Sequence, residues 1–171
     1  IFNSYTEEQL QNIFSVYGEI LNAKQLANAI CTARIQLRSE GGIKTTAQLR
    51  DIALSVAKGE KNPYLAQLFQ SVRIEVNDEM TSLKEMLTST AQLIIPGGRL
   101  VVISYHSLED RMVKNMMKTG DVYGNPEEDL MGRKNIPFKV VTKKPVTPDE
   151  EELRNNPRSR SAKLRVAEKI A

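Results

Sequence analysis

The sequence predicts an α/β chain in two parts, a wholly helical block to about residue 95 and then the tail of a doubly wound sheet. Three observations carry this. Apolar residues recur at helical spacing, separated by caps and breakers, from Thr6 to Ile94. After the turn Pro96-Gly97-Gly98, the run Leu100-Val101-Val102-Ile103 is continuously apolar, which is the pattern of a strand covered on both faces, typical of parallel sheets. Two more strand-like runs follow, at Phe138 to Thr142 and Ala162 to Lys169.

In order, Thr6-Glu7-Glu8-Gln9 spells a capping box, and Leu10, Ile13, Phe14 and Tyr17 follow on one stripe before Gly18. A second helix is expected from about Ala23 to Arg38, with Leu26, Ile30, Ala33 and Leu37 inward and Gly41-Gly42 breaking it. Thr45-Thr46-Ala47-Gln48 caps a third, carrying Leu49, Ile52, Ala53 and Val56. Asn62-Pro63 reads as the cap and first residue of a fourth. Its apolar series keeps period as far as Ile94, as one long helix or as two with a bend near Arg73.

Beyond the run Arg99 to Tyr105, Ser107 and Asp110 read as the cap of a helix that turns Val113, Met116 and Met117 inward. Gly120 to Pro137 reads as loop, and Asn155 to Arg160 as a basic connector. The last strand alternates Ala162, Leu164 and Val166 against Lys163, Arg165 and Ala167, and predicts a basic outer face. The organisation expected is residues 1–62, a long joining helix over 63–95, and a sheet part over 96–171. A lone buried strand is too little for a parallel sheet, so β neighbours outside the chain are expected.

Composition narrows the function. With one cysteine, Cys31, and one histidine, His106, neither an internal disulfide nor a Cys/His zinc cage is available, and a reducing, cytoplasmic compartment is the expectation. No run of 18 apolar residues exists, so no membrane span is expected. Tryptophan is absent and aromatics are 5%, which disfavours a base-stacking platform. There is no initiator Met, so a processed or truncated start is expected.

Charge is uneven. Residues 99–171 hold 15 basic side chains against 11 acidic, with acid-free basic windows at Arg133 to Lys144 and Arg154 to Arg165. Such windows suit a surface facing phosphates, or equally a protected sheet edge.

The polar cluster His106-Ser107-Leu108-Glu109-Asp110-Arg111 follows the apolar strand, and α/β sheets bind ligands beyond the carboxyl ends of their strands. It reads as a catalytic site, in which His106 holds a substrate by hydrogen bond or manages a proton, or simply as a helix cap of Ser107 with Asp110 and a locally paired Arg111. Arg73 and Asn77, four apart, share one helix face, which is either solvated or part of a site. Arg158 and Arg160 open the last strand and offer guanidinium forks to phosphate, or form a charged turn. No Walker loop, G-x-G-x-x-G or metal-ligand run is present.

Several segments, taken together, resemble the ribosomal RNA small subunit methyltransferase H (MraW) family. They are Tyr5 to Leu10, Tyr17-Gly18-Glu19, Thr45 to Leu49, Phe69 to Glu79, Pro96 to Arg111 and Asn156 to Arg165, which run in order over nearly the whole length. The resemblance implies the C-terminal part of a class I (Rossmann-like), S-adenosylmethionine-dependent methyltransferase with an all-helical inserted, substrate-recognition domain. It implies methylation of the exocyclic N4 of a cytosine in small-subunit ribosomal RNA. The family's Gly-rich cofactor loop and acidic ribose-binding residue lie upstream. S-adenosylmethionine is therefore expected to be bound by the missing part, no cofactor ligand is expected in this chain, and the segment alone is expected to be inactive.

The cytosine amine is a weak nucleophile because its lone pair is delocalised into the ring, and acceptors aimed at its protons localise that pair. On that basis His106 and Asp110 are expected on the target-base side of the site, with Arg73, Asn77 and Ser107 bordering it. Arg111, Arg158 and Arg160 are expected on RNA phosphates, and the partner is the small ribosomal subunit. A non-catalytic RNA-binding module and a self-associating, homodimeric fragment are the alternatives.

Overall fold

A computed structural model describes residues 1–126, 128, 130–132 and 134–170, so Arg133 of the first basic window lies outside the described residues. The chain forms two compact units, Ile1–Glu79 and Met80–Ala171.

The first unit is helical: α1 (Glu7–Val16), α2 (Ala23–Gln36), a 3-10 turn at Arg38–Glu40, α3 (Thr46–Val56) and α4 (Lys61–Asn77). Both spelled capping boxes form, Thr6 with Gln9 and Thr45 with Gln48. Each satisfies two amides that the first turn of a helix leaves free. The core is Leu10, Phe14, Leu26, Ala27, Ile30, Leu49, Ala53 and Leu68, all buried. The fourth helix begins earlier than Asn62-Pro63 implies. Its N-cap is Glu60, and Pro63 falls within the first turn, where a missing amide costs nothing.

The expected long helix is interrupted at Asp78 rather than bent at Arg73. Asp78 takes the left-handed conformation (φ 49°, ψ 44°), which ends α4, and α5 runs over Glu79–Leu93. An aspartate tolerates that conformation better than most residues.

The second unit holds α5, β1 (Arg99–Ser104), α6 (Ser107–Thr119), β2 (Phe138–Val140), α7 (Glu150–Asn155), a 3-10 turn at Pro157–Ser161 and β3 (Lys163–Lys169). The strands form one sheet in the order β1-β3-β2, with β3 antiparallel to both neighbours. Every strand pair among the described residues is antiparallel, where the sequence reading expected β1 in a parallel sheet. Of the two covered faces expected for β1, the described residues cover one. Leu100, Val102, Val140 and Ala167 pack with Leu87, Ala91, Val113, Met116 and Met117 on one side of the sheet. On the other side Val101 and Ile103 are each 54% exposed.

Pairing places Val101 opposite Val166 and Ile103 opposite Leu164, so these four apolar side chains share the open face. The predicted basic outer face of β3 is therefore inverted. Arg165 and Ala167 point inward with Lys163, and Leu164 and Val166 point outward. Helix α7, capped by Asp149, and the 3-10 turn replace the irregular connector expected between β2 and β3.

Candidate functional site

The junction from β1 to α6 gathers most of the second unit's buried polar groups. Its cap sits one residue earlier than the sequence reading placed it. His106, not Ser107, is the N-cap, and Glu109, not Asp110, is the third helical residue. His106 Nδ1 accepts from the Glu109 amide at 3.3 Å. Glu109 Oε2 accepts from the amides of Tyr105 (2.9 Å) and His106 (3.3 Å).

Because Nδ1 is an acceptor, the neutral ring carries its proton on Nε2. That nitrogen is buried 3.2 Å from Glu109 Oε1, an electrostatic contact without a formed hydrogen bond. Both ring nitrogens thus face Glu109. Burial opposes ionisation of Glu109, but the His106 ring and the two amides outweigh it and hold the carboxyl down to about 2.

The one-residue shift of the cap frees Asp110 for a different partner. Arg165 donates to it through both ends of its fork, Nε to Oδ1 at 2.6 Å and Nη2 to Oδ2 at 3.0 Å. Lys163 Nζ lies 3.7 Å from Oδ2. The Arg165 hydrogen bonds, against the cost of burial, hold the Asp110 carboxyl below its usual range, with help from Lys163 and Lys114. A bidentate, charge-assisted pair with one partner only 7% exposed is a fixed strut between α6 and β3.

The other expected residues fall in three places. Ser107 and Arg111 are exposed on the first turns of α6. Arg158 and Arg160 are exposed on the 3-10 turn and flank Ser159, which is buried and bonds back to Asn156. Since Ser104 pairs with Lys163, the end of β1 and the start of β3 meet, and this turn lies at the same end of the sheet as the His106 junction. Arg73 and Asn77 belong to the first unit. There they do share a target, for Arg73 Nη2 and Asn77 Nδ2 both donate to Glu79, each at 3.1 Å.

The sequence reading missed Glu109 as the clamp and Arg165 as the partner of Asp110. His-x-x-Glu was the available signal for the first. It was passed over because histidine is not among the favoured N-caps.

No group of three His, Cys, Asp or Glu that could hold a metal occurs among the described residues. A cleft of about 780 Å³ lies at the far end of the sheet from His106 and is lined by, among others, Lys84, Gln92, Ile95, Pro96, Asp121 and Lys169. It is away from the junction's chemistry, and the junction is favoured as the site because the buried, mutually bonded polar groups are there. The charged lining residues of the cleft are Lys84, Lys169 and Asp121. They offer two ammonium groups and one carboxylate, and Asp121 already accepts from the amides of Tyr123 and Asn125.

A family model described as the MraW methylase family matches residues 1–170. The chain belongs to the MraW methylase family. Among curated relatives, the ribosomal RNA small subunit methyltransferase H of Bacteroides thetaiotaomicron is 51% identical over 170 residues, which is 99% of this chain and 55% of that protein. The proteins of that name from Bacteroides fragilis and Flavobacterium johnsoniae are 49% and 45% identical, again over 99% of this chain and 55% of theirs. The chain thus spans about half the length of the MraW relatives it matches.

Proposed function

We propose that the complete protein transfers a methyl group from S-adenosylmethionine to the exocyclic N4 of a cytosine in small-subunit ribosomal RNA. Residues 1–171 supply recognition surface and the target-base side, and the upstream portion holds the cofactor. The observation that carries this reading is the MraW match over residues 1–170, with relatives near 50% identity whose names specify small-subunit ribosomal RNA methylation.

Within the site, His106 and Asp110 take the part of positioning residues. One caps α6 and the other braces it against β3, so that Tyr105 and Ser107 are presented at a fixed angle. Arg111, Arg158 and Arg160 engage RNA phosphates, and Arg73 and Asn77 contact the same substrate. The test is methylation of small ribosomal subunits that lack the modification, by the complete protein, read by mass spectrometry of the released nucleosides. N4-methylcytidine is expected, and a methyl group on another atom or no transfer overturns the reading.

The isolated segment is proposed to be inactive, and calorimetric titration should show no micromolar binding of S-adenosylmethionine. For that segment alone, the exposed Val101 and Ile103 on edge strand β1 favour self-association. A monomer in sedimentation at high concentration counts against it.

A further inference from the structure

The first unit carries a second polar feature, far in sequence from the His106 junction. A cleft of about 380 Å³ opens beside the C-terminal end of α2 and is lined by Asn3, Arg34, Ile35, Arg38, Gly41 and Gly42. Its geometry is fixed by the backbone. Gly41 and Gly42 both adopt positive φ (88° and 83°), a pair of consecutive left-handed residues that glycine alone takes up without strain. Asn3 clamps the loop from across the fold, its side chain donating to the Ile43 carbonyl and accepting from the Ile43 amide, each at 2.9 Å. A Cβ at Gly42 would stand 2.5 Å from Asn3 Oδ1, so the clamp needs glycine there.

Two of the lining residues are cationic, Arg34 and Arg38, and Lys44 lies beside the lining Gly41. Arg34 is half-buried, and its Nη1 donates to the carbonyls of Phe2 and Tyr5, so its described partners are neutral oxygens. Arg38 is exposed and carries no described ion pair. Lys44 folds its ammonium over Gly41, where a Cβ would meet Nζ at 2.8 Å. Against these three cations the stretch from Arg34 to Lys44 holds one acid, Glu40.

Part of this charge answers the negative end of the α2 dipole, but that end is worth about half a charge. A net surplus therefore remains at a pre-formed concavity. The amides of Gly41 and Gly42 are spent on the carbonyls of Arg38 and Leu37, so the ligand must be held by side chains. Guanidinium forks and a point ammonium together match a tetrahedral oxyanion. Ile35, 70% exposed at the rim, gives an apolar shoulder for a sugar.

We propose that this cleft seats a phosphate of an RNA backbone through Arg34, Arg38 and Lys44. That makes the helical unit a second RNA anchor, separate from Arg158 and Arg160. The choice of RNA over another phosphate carrier rests on the proposed function.

The test uses the complete protein and small ribosomal subunits, with binding measured across a salt series. Arg34 is left intact because it holds the N-terminal segment. The double variant Arg38→Gln/Lys44→Gln should bind about tenfold more weakly, with a log–log salt slope shallower by about 1. The control Lys24→Gln/Lys58→Gln removes the same charge from exposed positions of the same unit outside the cleft, and should leave the slope near that of the parent. An unchanged slope in the cleft variant overturns the proposal, and so does an equal change in both. Neither altered side chain has a described partner, so an unchanged melting temperature is expected alongside the binding loss. Methyl transfer by the parent protein is scored separately. If it fails while the slope still responds, the enzymatic reading falls and the phosphate site stands.

Discussion

The two units solve the burial problem differently. In the helical unit each amphipathic stripe finds its counterpart among its own neighbours, and Leu10, Phe14, Leu26, Ile30 and Leu68 are fully buried. In the sheet unit α5 and α6 cover one face of three strands, while the other presents Val101, Ile103, Leu164 and Val166 outward. A helix needs one partner surface for its stripe, whereas a sheet has two faces and two edges to satisfy. One sheet face is therefore covered and the other, apolar one is left open. The first unit buries its apolar stripes within itself, whereas the second leaves one apolar sheet face uncovered.

The sharpest way to break that contrast is by truncating side chains in each unit. Phe14→Ala empties a fully buried site and should cost about 3–5 kcal/mol. Ile103→Ala removes a side chain that is 54% exposed and should cost under about 1 kcal/mol in the segment. Urea titration of both variants measures the difference. Comparable losses would mean that the open face is already covered, for instance by a second copy of the chain.

The next effect in size compares how the units use charge. In the first unit Arg73 pairs with Glu79 while more than half exposed, so the pair should contribute at most about 1 kcal/mol. In the second, Asp110→Asn leaves the Arg165 guanidinium buried with its charge uncompensated and should cost about 3 kcal/mol. The pH dependence follows from the same geometry. Asp110 and Glu109 both have folded pKa values below their unfolded ones, so their contribution is complete above the unfolded values and is lost as pH falls through the folded values. For Glu109 that window runs from 4.5 down to about 2. Glu109→Gln should therefore flatten the acid limb of a stability profile in that range, and a limb of unchanged steepness would show that Glu109 is not the clamp.

What the sequence revealed and what it concealed divide along the same line. Both threonine capping boxes and the helical core were legible because each depends on a few consecutive residues. The orientation of β3 was not. Alternation says that Lys163, Arg165 and Ala167 share a face, but not which way that face points. The answer came from Asp110, 55 residues away in the chain, which draws Arg165 inward. The continuous apolar run of β1 correctly marked a strand, but apolarity on both sides did not tell which face the described residues cover. Helix α7 has six residues, too few to show a period. Within the candidate site, Ser107 and Asp110 drew attention as the more usual capping pair, and the histidine one residue earlier took the position.

The smallest effect concerns that histidine and separates its two readings. If His106 works as the cap of α6, then an asparagine, whose side-chain oxygen can also accept from the Glu109 amide, should replace it with little loss. His106→Ala should cost about 1 kcal/mol, as loss of an N-cap does elsewhere, and Thr45→Ala in the first unit gives a reference for a cap of the ordinary kind. In the complete protein, methyl transfer by His106→Asn should stay near the parent level, while His106→Ala loses activity in step with the loosening of the junction. A proton-handling histidine would show the reverse pattern. The asparagine variant would then fold as well as the parent and still lose transfer, because an amide cannot exchange a proton near neutral pH whereas an imidazole can. The geometry favours the cap, because Nδ1 is taken by an amide and Nε2 is turned toward the Glu109 carboxylate, so a proton could be accepted only by giving up the bond that starts the helix.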